Sequence, residues 1–267
     1  MARTRTTTTT DAYRTPWAWA LSGAALGLAL ALLGFAPARW LSGPLAAVSG
    51  GQLLLGDVQG TVWNGSGQLT LTGGPGSSDA STLPGRLAWQ LRPAWGHLQA
   101  QLLADCCMQA PLALDLSPRW GGAHLEVGDQ RSLWPALWLT GLGTPWNTIR
   151  AEGQLALRTT GFGADWVHGR LRLQGELALD AIDVASRLST LRPMGSYRFV
   201  VAGGDTPRLS LSTTQGALQL RGSGQWTDGR LRFEGEASAA PERIEALSNL
   251  LNIIGRREGA RSIIKVG

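Results

Sequence analysis

The chain has 267 residues, of which 16% are charged, 43% are hydrophobic, 36 are glycine and only 2 are cysteine. This composition excludes intrinsic disorder and a small disulfide-held scaffold. The formal net charge is +5, but the arginines are scattered singly and lysine occurs only at Lys265. Because nucleic-acid binding requires clustered basic residues, we expect no nucleic-acid partner. The high glycine content favours a β-rich protein with many turns.

The N-terminal region consists of a basic tail followed by an apolar segment. Residues 1–16 are expected to form a cytoplasmic tail, and residues 17–36 contain no charge. A helix of twenty residues spans about 30 Å, the thickness of the hydrocarbon core of a bilayer. Arginines are more frequent before this segment than after it, which places the N-terminus in the cytoplasm and the remainder of the chain outside.

Three tryptophans at the two ends of this segment are expected to lie at the membrane–water interface, namely Trp17, Trp19 and Trp40. The alternative is a cleaved signal peptide, because residues 36–38 (Ala-Pro-Ala) have the small-residue spacing of a cleavage site. Both interpretations place the part of the chain that follows the apolar segment outside the cytoplasm. The anchor interpretation predicts a transmembrane helix at 17–36, a linker at 37–50 and a β-rich domain at 51–267.

After the apolar segment, hydrophobic residues alternate with polar ones. Leu87, Trp89 and Leu91 share one face of a strand, and the same alternation recurs at 111–116, 169–179 and 207–213. Such alternation is typical of antiparallel sheets with one buried face. A Gly-x-Leu-x-Leu unit recurs at irregular spacing, which indicates a meander of hairpins rather than a solenoid. Typical strand and loop lengths allow about ten to thirteen strands between residues 50 and 240.

Turns and short helices complete the expected fold. Glycine-containing turns are expected at 64–65, 73–75, 203–205 and 228–229. Short helices are expected at 132–138 with Ser132 as the cap, at 184–191 with Asp183 as the cap, and from Pro241 to the stop at Gly255. The predicted fold class is therefore mainly β: one N-terminal transmembrane helix, then an elongated, curved antiparallel sheet with a few short helices.

The sequence contains no pattern that indicates an enzyme, a metal site or a cofactor site. His97, His124 and His168 are solitary, and no His or Cys pair has metal-ligand spacing. The glycine-rich stretch at 73–76 lacks the lysine of a phosphate-binding loop, and no Gly-x-Ser-x-Gly nucleophile motif is present. We therefore expect a non-enzymatic protein without a cofactor.

Cysteine and tryptophan usage raises two further questions. The adjacent Cys106 and Cys107 either form a vicinal disulfide or remain reduced at the end of a strand. Nine tryptophans follow Trp40, and they either fill a core that is poor in phenylalanine or line an apolar groove or docking surface. These nine are Trp63, Trp89, Trp95, Trp120, Trp134, Trp138, Trp146, Trp166 and Trp226.

Four strings in the chain resemble motifs of the type II secretion system protein N (general secretion pathway protein N) family. They are 60–65 (Gly-Thr-Val-Trp-Asn-Gly), 142–147 (Leu-Gly-Thr-Pro-Trp-Asn), 192–197 (Arg-Pro-Met-Gly-Ser-Tyr) and 250–257 (Leu-Leu-Asn-Ile-Ile-Gly-Arg-Arg). With the N-terminal segment, they extend the resemblance over nearly the whole chain. The motif residues that we expect to contact partners or maintain the family fold are Gly60, Thr61, Trp63, Gly65, Gly143, Pro145, Trp146, Asn147, Pro193, Gly195, Tyr197, Asn252 and Gly255.

The resemblance implies a single-pass protein of the bacterial inner membrane whose periplasmic domain is an accessory part of the type II secretion machine. That machine exports folded enzymes through an outer-membrane secretin. The implied role is a scaffold that contacts inner-membrane platform subunits, with the secretin as a further candidate partner. The family is also similar to AsmA-like proteins, whose curved U-shaped sheets have an apolar groove. The alternative is therefore a lipid-binding or lipid-transfer module, lined here by Leu87, Trp89, Leu171 and Leu173.

Overall fold

The computed structural model describes residues 17–227 and 230–267. The chain divides into two compact units, residues 1–36 and residues 37–267. The expected cytoplasmic tail at 1–16 and the expected turn at 228–229 lie outside the described residues.

The first unit contains helix α1, Trp17–Gly34, which has no charged residue and whose described side chains are all exposed. The apolar segment therefore forms a helix, as its composition predicts. Within the described residues, however, no helix is both long and apolar enough to cross a membrane. The predicted transmembrane helix is accordingly not supported by the structure.

The second unit is built on one sheet of sixteen antiparallel strands. In chain order these are β1 Leu53–Gly60, β2 Asn64–Thr72, β3 Ala80–Thr82, β4 Leu87–Ala94, β5 His97–Ala104, β6 Leu112–Arg119, β7 Gly122–Val127, β8 Gln130–Pro135, β9 Glu152–Val167, β10 Arg170–Ala185, β11 Gly195–Gly204, β12 Arg208–Gly216, β13 Leu218–Thr227, β14 Arg230–Ala239, β15 Arg256–Glu258 and β16 Arg261–Val266.

Most neighbours in the sheet are consecutive in sequence, so the predicted antiparallel meander is confirmed. The main path is β1-β2-β4-β5-β6-β7-β9-β10-β11-β12-β13-β14-β16-β15, with β3 beside β2 and β8 beside β9. The α-helices of this unit are α2 Ser42–Val48, α3 Trp146–Ile149 and α4 Ile244–Ile254; the 3₁₀ helices are Ala38–Leu41, Ala136–Leu142 and Pro241–Arg243.

The expected linker at 37–50 folds as the first 3₁₀ helix and α2, within the same compact unit as the sheet. Ala38 is almost completely buried, and the Ser42 hydroxyl donates a hydrogen bond to the carbonyl oxygen of Leu55 in β1 at 3.2 Å. This segment therefore packs along the edge strand of the sheet.

Two of the three expected helices of this unit are wrong in position or type. Ser132 does not cap a helix: it lies in β8 opposite Leu157, and the 3₁₀ helix begins only at Ala136. The helix expected at 184–191 is absent, since β10 continues to Ala185 and a loop follows. Asp183 instead lies at a bulge of the β10–β11 pair, where its φ is +50° and its N–H bonds to the Ser196 hydroxyl.

The helix expected from Pro241 is confirmed. It starts as the 3₁₀ helix Pro241–Arg243 and continues as α4, which ends before Gly255. The apolar stripe along α4 is the reason that this helix was the most predictable of the three, because a 3.6-residue period identifies both the helix and its buried face.

The sheet has two distinguishable ends. The hairpin turns at 61–63, 95–96, 120–121 and 168–169 lie along one end, which we call the tip end. Because hairpins alternate direction, the other connections reach the opposite end, where α3, α4 and the 3₁₀ helix Ala136–Leu142 are found. We call this second end the helical end.

The buried apolar residues form two clusters. In the C-terminal core, Leu247, Leu250 and Leu251 of α4 pack on the sheet against Phe233 and Ala237, among others. The N-terminal core lies between α2 and the first strands and includes Leu69, Leu83, Ala104 and Cys107. Trp134 of β8 is the large side chain that packs against both clusters.

The sheet curls between β2 and β9. These strands are five positions apart in the sheet, which corresponds to about 24 Å for a flat sheet. Yet Pro135 pairs with Gln154 of β9, and Gly141 packs so closely on β2 that an added Cβ would lie 2.2 Å from the carbonyl oxygen of Leu71. Six residues of 3₁₀ helix extend only about 12 Å. The 3₁₀ helix Ala136–Leu142 therefore bridges a bend in the sheet.

We expect Leu250→Ala to reduce the free energy of unfolding by about 3 kcal/mol, because it leaves a cavity beneath α4. The Leu250 side chain is 1% exposed, whereas Ile253 in the same helix is 42% exposed. Ile253→Ala is therefore the matched control, with an expected loss below about 1 kcal/mol. Urea unfolding of the detergent-solubilised full chain measures both, and equal losses would contradict the described packing of α4.

Candidate partner-binding surface

The motif at 142–147 forms an ordered turn at the helical end that presents an indole ring. Gly143 adopts a φ of +78°, a conformation that residues with a Cβ rarely take, and Pro145 directly precedes the single turn of α3. The Trp146 side chain is 37% exposed, and Pro145 is also exposed. The turn therefore places an apolar pair at the surface.

Asn147 fixes this turn from one side. Its side-chain amide donates a hydrogen bond to Oδ2 of Asp79 at 2.9 Å, and the Thr148 hydroxyl donates to Oδ1 of Asn147 at 3.1 Å. Asp79 belongs to the segment between β2 and β3, which is 68 residues away in sequence. The asparagine thus ties the motif to the N-terminal part of the sheet.

The loop between β10 and β11 fixes the turn from the other side. The Ser186 hydroxyl donates to the carbonyl oxygen of Ile149 at 2.5 Å, and Nε of Arg187 donates to that of Thr148 at 3.1 Å. The same loop reaches α4, because the Ser189 hydroxyl donates to the carbonyl oxygen of Ala246 at 3.0 Å. Backbone carbonyls at the end of α3 are therefore satisfied, and α3 and α4 are joined through one loop.

The motif at 192–197 is mostly internal. Met194 is buried, and its carbonyl oxygen accepts hydrogen bonds from the N–H groups of Ala217 and Leu218 at 2.8 and 3.2 Å. Tyr197 is 4% exposed and its hydroxyl has no hydrogen-bond partner within the described residues. Burial raises the pKa of this hydroxyl. Of the motif, Pro193 remains exposed, so Tyr197 serves the core rather than a surface contact.

The motif at 250–257 divides between core and surface. Leu250 and Leu251 are buried in the C-terminal core, whereas Asn252 and Ile253 are exposed on the next positions of α4. Gly255 passes close to β16, where an added Cβ would lie 2.4 Å from the carbonyl oxygen of Ile263. This glycine is therefore required for close packing of the chain after α4.

Three of the four motifs thus converge on the helical end. Four exposed apolar residues and one exposed asparagine lie there. We call this set the helical-end surface; it consists of Leu137, Pro145, Trp146, Asn252 and Ile253. The structure therefore brings together residues from motifs that are more than 100 positions apart in sequence.

The motif at 60–65 lies at the tip end instead. The N–H of Thr61 donates to the carbonyl oxygen of Asn64 at 2.9 Å, and the N–H of Asn64 donates to the Thr61 hydroxyl oxygen at 3.1 Å. Gly60 has a φ of +88°. Gly65 lies beneath the Trp89 ring, where an added Cβ would come within 2.6 Å of the indole. The carbonyl oxygen of Trp63 accepts the N–H of Leu91 at 2.7 Å. These contacts give the motif a role in joining β1, β2 and β4.

The four residues expected to line a groove have different environments. Leu87 is half-buried and packs against the N-terminal core, and Trp89 is buried with its indole N–H donating to the carbonyl oxygen of Val62 at 3.1 Å. Leu173 is also buried, whereas Leu171 is exposed.

Leu173 belongs to a row of apolar residues that crosses five neighbouring strands of the sheet. The cross-strand pairings align Leu98, Leu116, Leu125, Ala164 and Leu173. Leu116 is exposed, Leu98, Leu125 and Ala164 are half-buried, and Leu173 is buried. None of the five belongs to the two core clusters. We call this feature the apolar row.

Cys106 and Cys107 are joined by a disulfide in the turn that follows β5. Cys107 is buried in the N-terminal core, and its carbonyl oxygen accepts the N–H of Leu133 in β8 at 2.8 Å. This turn therefore positions β8, from which the bridging 3₁₀ helix begins.

Several titratable side chains of the sheet form ion pairs. Asp180 binds Arg198 at 2.5 Å and Glu234 binds Lys265 at 2.9 Å. The hydrogen bonds that Arg198 donates to Asp180 raise the pKa of Arg198. Over residues 17–227 and 230–267, no three His, Cys, Asp or Glu side chains lie close enough to hold a metal ion.

An antiparallel meander with a fixed aromatic turn at one end defines the class of this chain as a mainly β protein. The family model of the type II secretion system (T2SS), protein N, matches residues 51–264, and the chain belongs to this family. No curated protein and no solved structure matches it. The similarity to AsmA-like proteins therefore stays a prediction.

Family membership indicates a component of the type II secretion system that is associated with the cell envelope and interacts with other subunits. The family is an accessory one and is not known as an enzyme family. The resemblance inferred from the four motifs is therefore confirmed.

The contacts that hold the motif at 142–147 were not identified from sequence. Asp79 lies in a polar turn, and Arg187 lies in a segment that was expected to be helical. Neither residue carries a local pattern that distinguishes it from ordinary loop residues. A tertiary hydrogen bond across 68 positions leaves no trace in a single sequence.

We expect Tyr197→Phe to leave the free energy of unfolding unchanged at pH 7 or to increase it by about 1 kcal/mol, because the hydroxyl is buried without a partner. The folded state retains the tyrosine proton, whereas the unfolded chain loses it above about pH 10. Wild-type stability should therefore fall above that pH by a component that the variant lacks. Urea titrations of the wild type and the variant at pH 7 and above about pH 10 test this. A clear loss of stability in the variant at pH 7 would show that the hydroxyl is hydrogen-bonded in the wild type.

Proposed function

We propose that this protein is a non-enzymatic periplasmic scaffold of the type II secretion system that binds another subunit through its helical-end surface. The single observation that carries the proposal is the turn at 145–147. Asp79 holds the Asn147 side chain on one side, and Ser186 and Arg187 hold the backbone carbonyls of α3 on the other. The Trp146 side chain is nevertheless left partly exposed.

A rigid aromatic side chain at the surface suits a partner contact. Ordering a flexible side chain on binding costs conformational entropy, so a pre-fixed tryptophan loses less when a partner covers it. Tryptophan is also enriched among the residues that contribute most to protein–protein binding. Candidate partners are the platform subunits of the inner membrane, with the secretin as a further candidate.

The proposal includes attachment to the inner membrane through the apolar segment at 17–36. Its support is the absence of charge over twenty residues and the exposure of the large apolar side chains of α1. Trp17 and Trp19 lie at the start of the segment and Trp40 lies shortly after its end, which are the positions of residues at a membrane interface. The expected topology has the N-terminus in the cytoplasm and the sheet in the periplasm.

We expect Trp146→Ala to reduce export of folded enzymes without unfolding the domain, because the side chain is only partly buried and its removal leaves the tethers of the turn intact. Secreted enzyme activity in the medium and in the periplasm of the complemented deletion strain measures the effect. Val266→Ala is the matched control, since Val266 is an exposed apolar residue of β16 that pairs with Phe233 on the side of the tip end, away from the helical-end surface.

Normal export by a stably accumulated Trp146→Ala protein would contradict the proposed contact. Equal defects in both variants would point to a general loss of protein rather than to a partner surface. Immunoblotting of the membrane fraction provides the level of each variant.

The apolar row favours a second candidate function, the lipid-binding module. Partly exposed aliphatic side chains on four of its five strands, β5, β6, β7 and β9, provide a surface that an acyl chain can cover. We expect native mass spectrometry of the detergent-purified full chain to detect a bound phospholipid that is lost on combining Leu116→Gln with Leu125→Gln. A lipid-free spectrum of the wild type, or a spectrum that the double variant does not change, would contradict this function.

A further inference from the structure

Exposed tryptophans occupy successive hairpins at the tip end of the sheet. Trp95 and Trp120 are 101% and 95% exposed at the β4–β5 and β6–β7 turns, and Trp166 is 60% exposed beside the β9–β10 turn. Successive hairpins are two strands apart, which spaces these rings by about 10 Å. None of these three tryptophans belongs to either apolar core cluster, so packing in the core does not account for them. Together they form an apolar rim at one end of the sheet.

The turns that carry these rings are well defined. Trp95 and Trp120 are each followed by a glycine with positive φ, 75° for Gly96 and 78° for Gly121. The second and third turns are joined, because the N–H of His168 donates to the carbonyl oxygen of Gly121 at 3.0 Å. The tryptophans are therefore presented by short, hydrogen-bonded hairpins rather than by long loops.

Cations without partners surround the rings. Arg92, Arg119 and Arg170 flank the three turns and are exposed, and their side chains have no hydrogen bond or ion pair in the described part of the chain. The neighbouring acids are already engaged: Asp115 lies 3.5 Å from His97, and Asp165 lies 2.8 Å from His124. The rim around these turns thus combines indole rings with uncompensated positive charge.

The chain also enters the sheet unit at this end. Pro37, which follows the apolar segment directly in sequence, pairs with Thr61 in the β1–β2 turn. Arg39 and Trp40 come next and are exposed. A fourth tryptophan and a fourth free arginine are therefore added to the tip end at the point where the segment proposed to attach to the membrane ends.

We propose that the tip end docks on the surface of a bilayer that contains anionic phospholipid. Indole rings favour the membrane–water interface, where their apolar body and N–H group are both accommodated. Arginines at the same level are attracted to negatively charged headgroups. The rings of Trp95, Trp120 and Trp166 enter the interface, and Arg92, Arg119 and Arg170 contact the headgroups.

This inference rests on the proposed membrane association of residues 17–36, but it assigns a separate contact to the sheet. Docking would hold the tip end at the bilayer and direct the helical-end surface away from it, toward partners in the periplasm. The two surfaces would then have different ligands, a lipid surface at one end and a protein at the other.

The test uses the full chain with an environment-sensitive fluorophore on one introduced cysteine. The two native cysteines are both in the disulfide, so a new thiol is the only reactive one. Ala94→Cys places the probe beside Trp95 at the tip end. Ala260→Cys is the matched control, an exposed alanine at the β15–β16 turn of the helical end. Each protein is reconstituted in phosphatidylcholine vesicles with and without phosphatidylglycerol, and with a quencher on the lipid.

We expect the probe at position 94 to be blue-shifted and quenched several-fold more strongly than the probe at 260, with a larger effect when phosphatidylglycerol is present. Combining Arg92→Gln, Arg119→Gln and Arg170→Gln should remove the increase due to phosphatidylglycerol. If the chain co-floats with the vesicles in a density gradient while both probes remain equally exposed to water, the docking inference alone is overturned. A chain that does not float overturns the membrane association of the proposed function as well.

Discussion

The position of Trp134 is the constraint on which the rest of the sheet unit depends. Its ring packs against both apolar clusters and stacks on Trp138, with the ring centroids 5.6 Å apart and the planes 17° from parallel. The 3₁₀ helix that contains Trp138 then reaches β2 at Gly141, where no side chain would fit. A long meander buries little apolar surface by itself, so this connection between its two halves makes them one unit.

The two ends of the strands have different chemistry. At the helical end, the loop after β10 ties α3 to α4, and three of the four family motifs meet there. Their buried members, such as Met194 and Leu250, maintain the core, while Trp146 is held near the surface. At the tip end, tight Trp-Gly turns present indole rings among arginines. The proposed contacts with a membrane and with a partner subunit would use these two surfaces, and the length of the strands separates them.

Much of this arrangement could be read from sequence, and the remainder depended on tertiary contacts. Alternation at 85–91 and the stripe of α4 identified the strands and the C-terminal helix because their periods are local. The helix expected after Asp183 failed because sheet pairing extended β10 over a segment whose capping residue and apolar content also suit a helix. The sequence also could not show which tryptophans are buried and which are exposed. Trp89 is buried against Gly65, while Trp95, six residues later, is fully exposed. The motif residues could be identified from sequence, but the hydrogen bond from Asn147 to Asp79 could not be predicted.

The central claim is that the chain acts in type II secretion, and the family match over residues 51–264 is its strongest support. The most direct measurement is the location of normally secreted enzymes in a clean deletion strain, with and without the intact gene. If the chain is a component of this system, the enzymes are retained in the periplasm of the deletion strain and complementation restores their export. Normal export in the deletion strain would contradict the claim, and an accompanying defect of the outer membrane would favour the lipid-binding function instead.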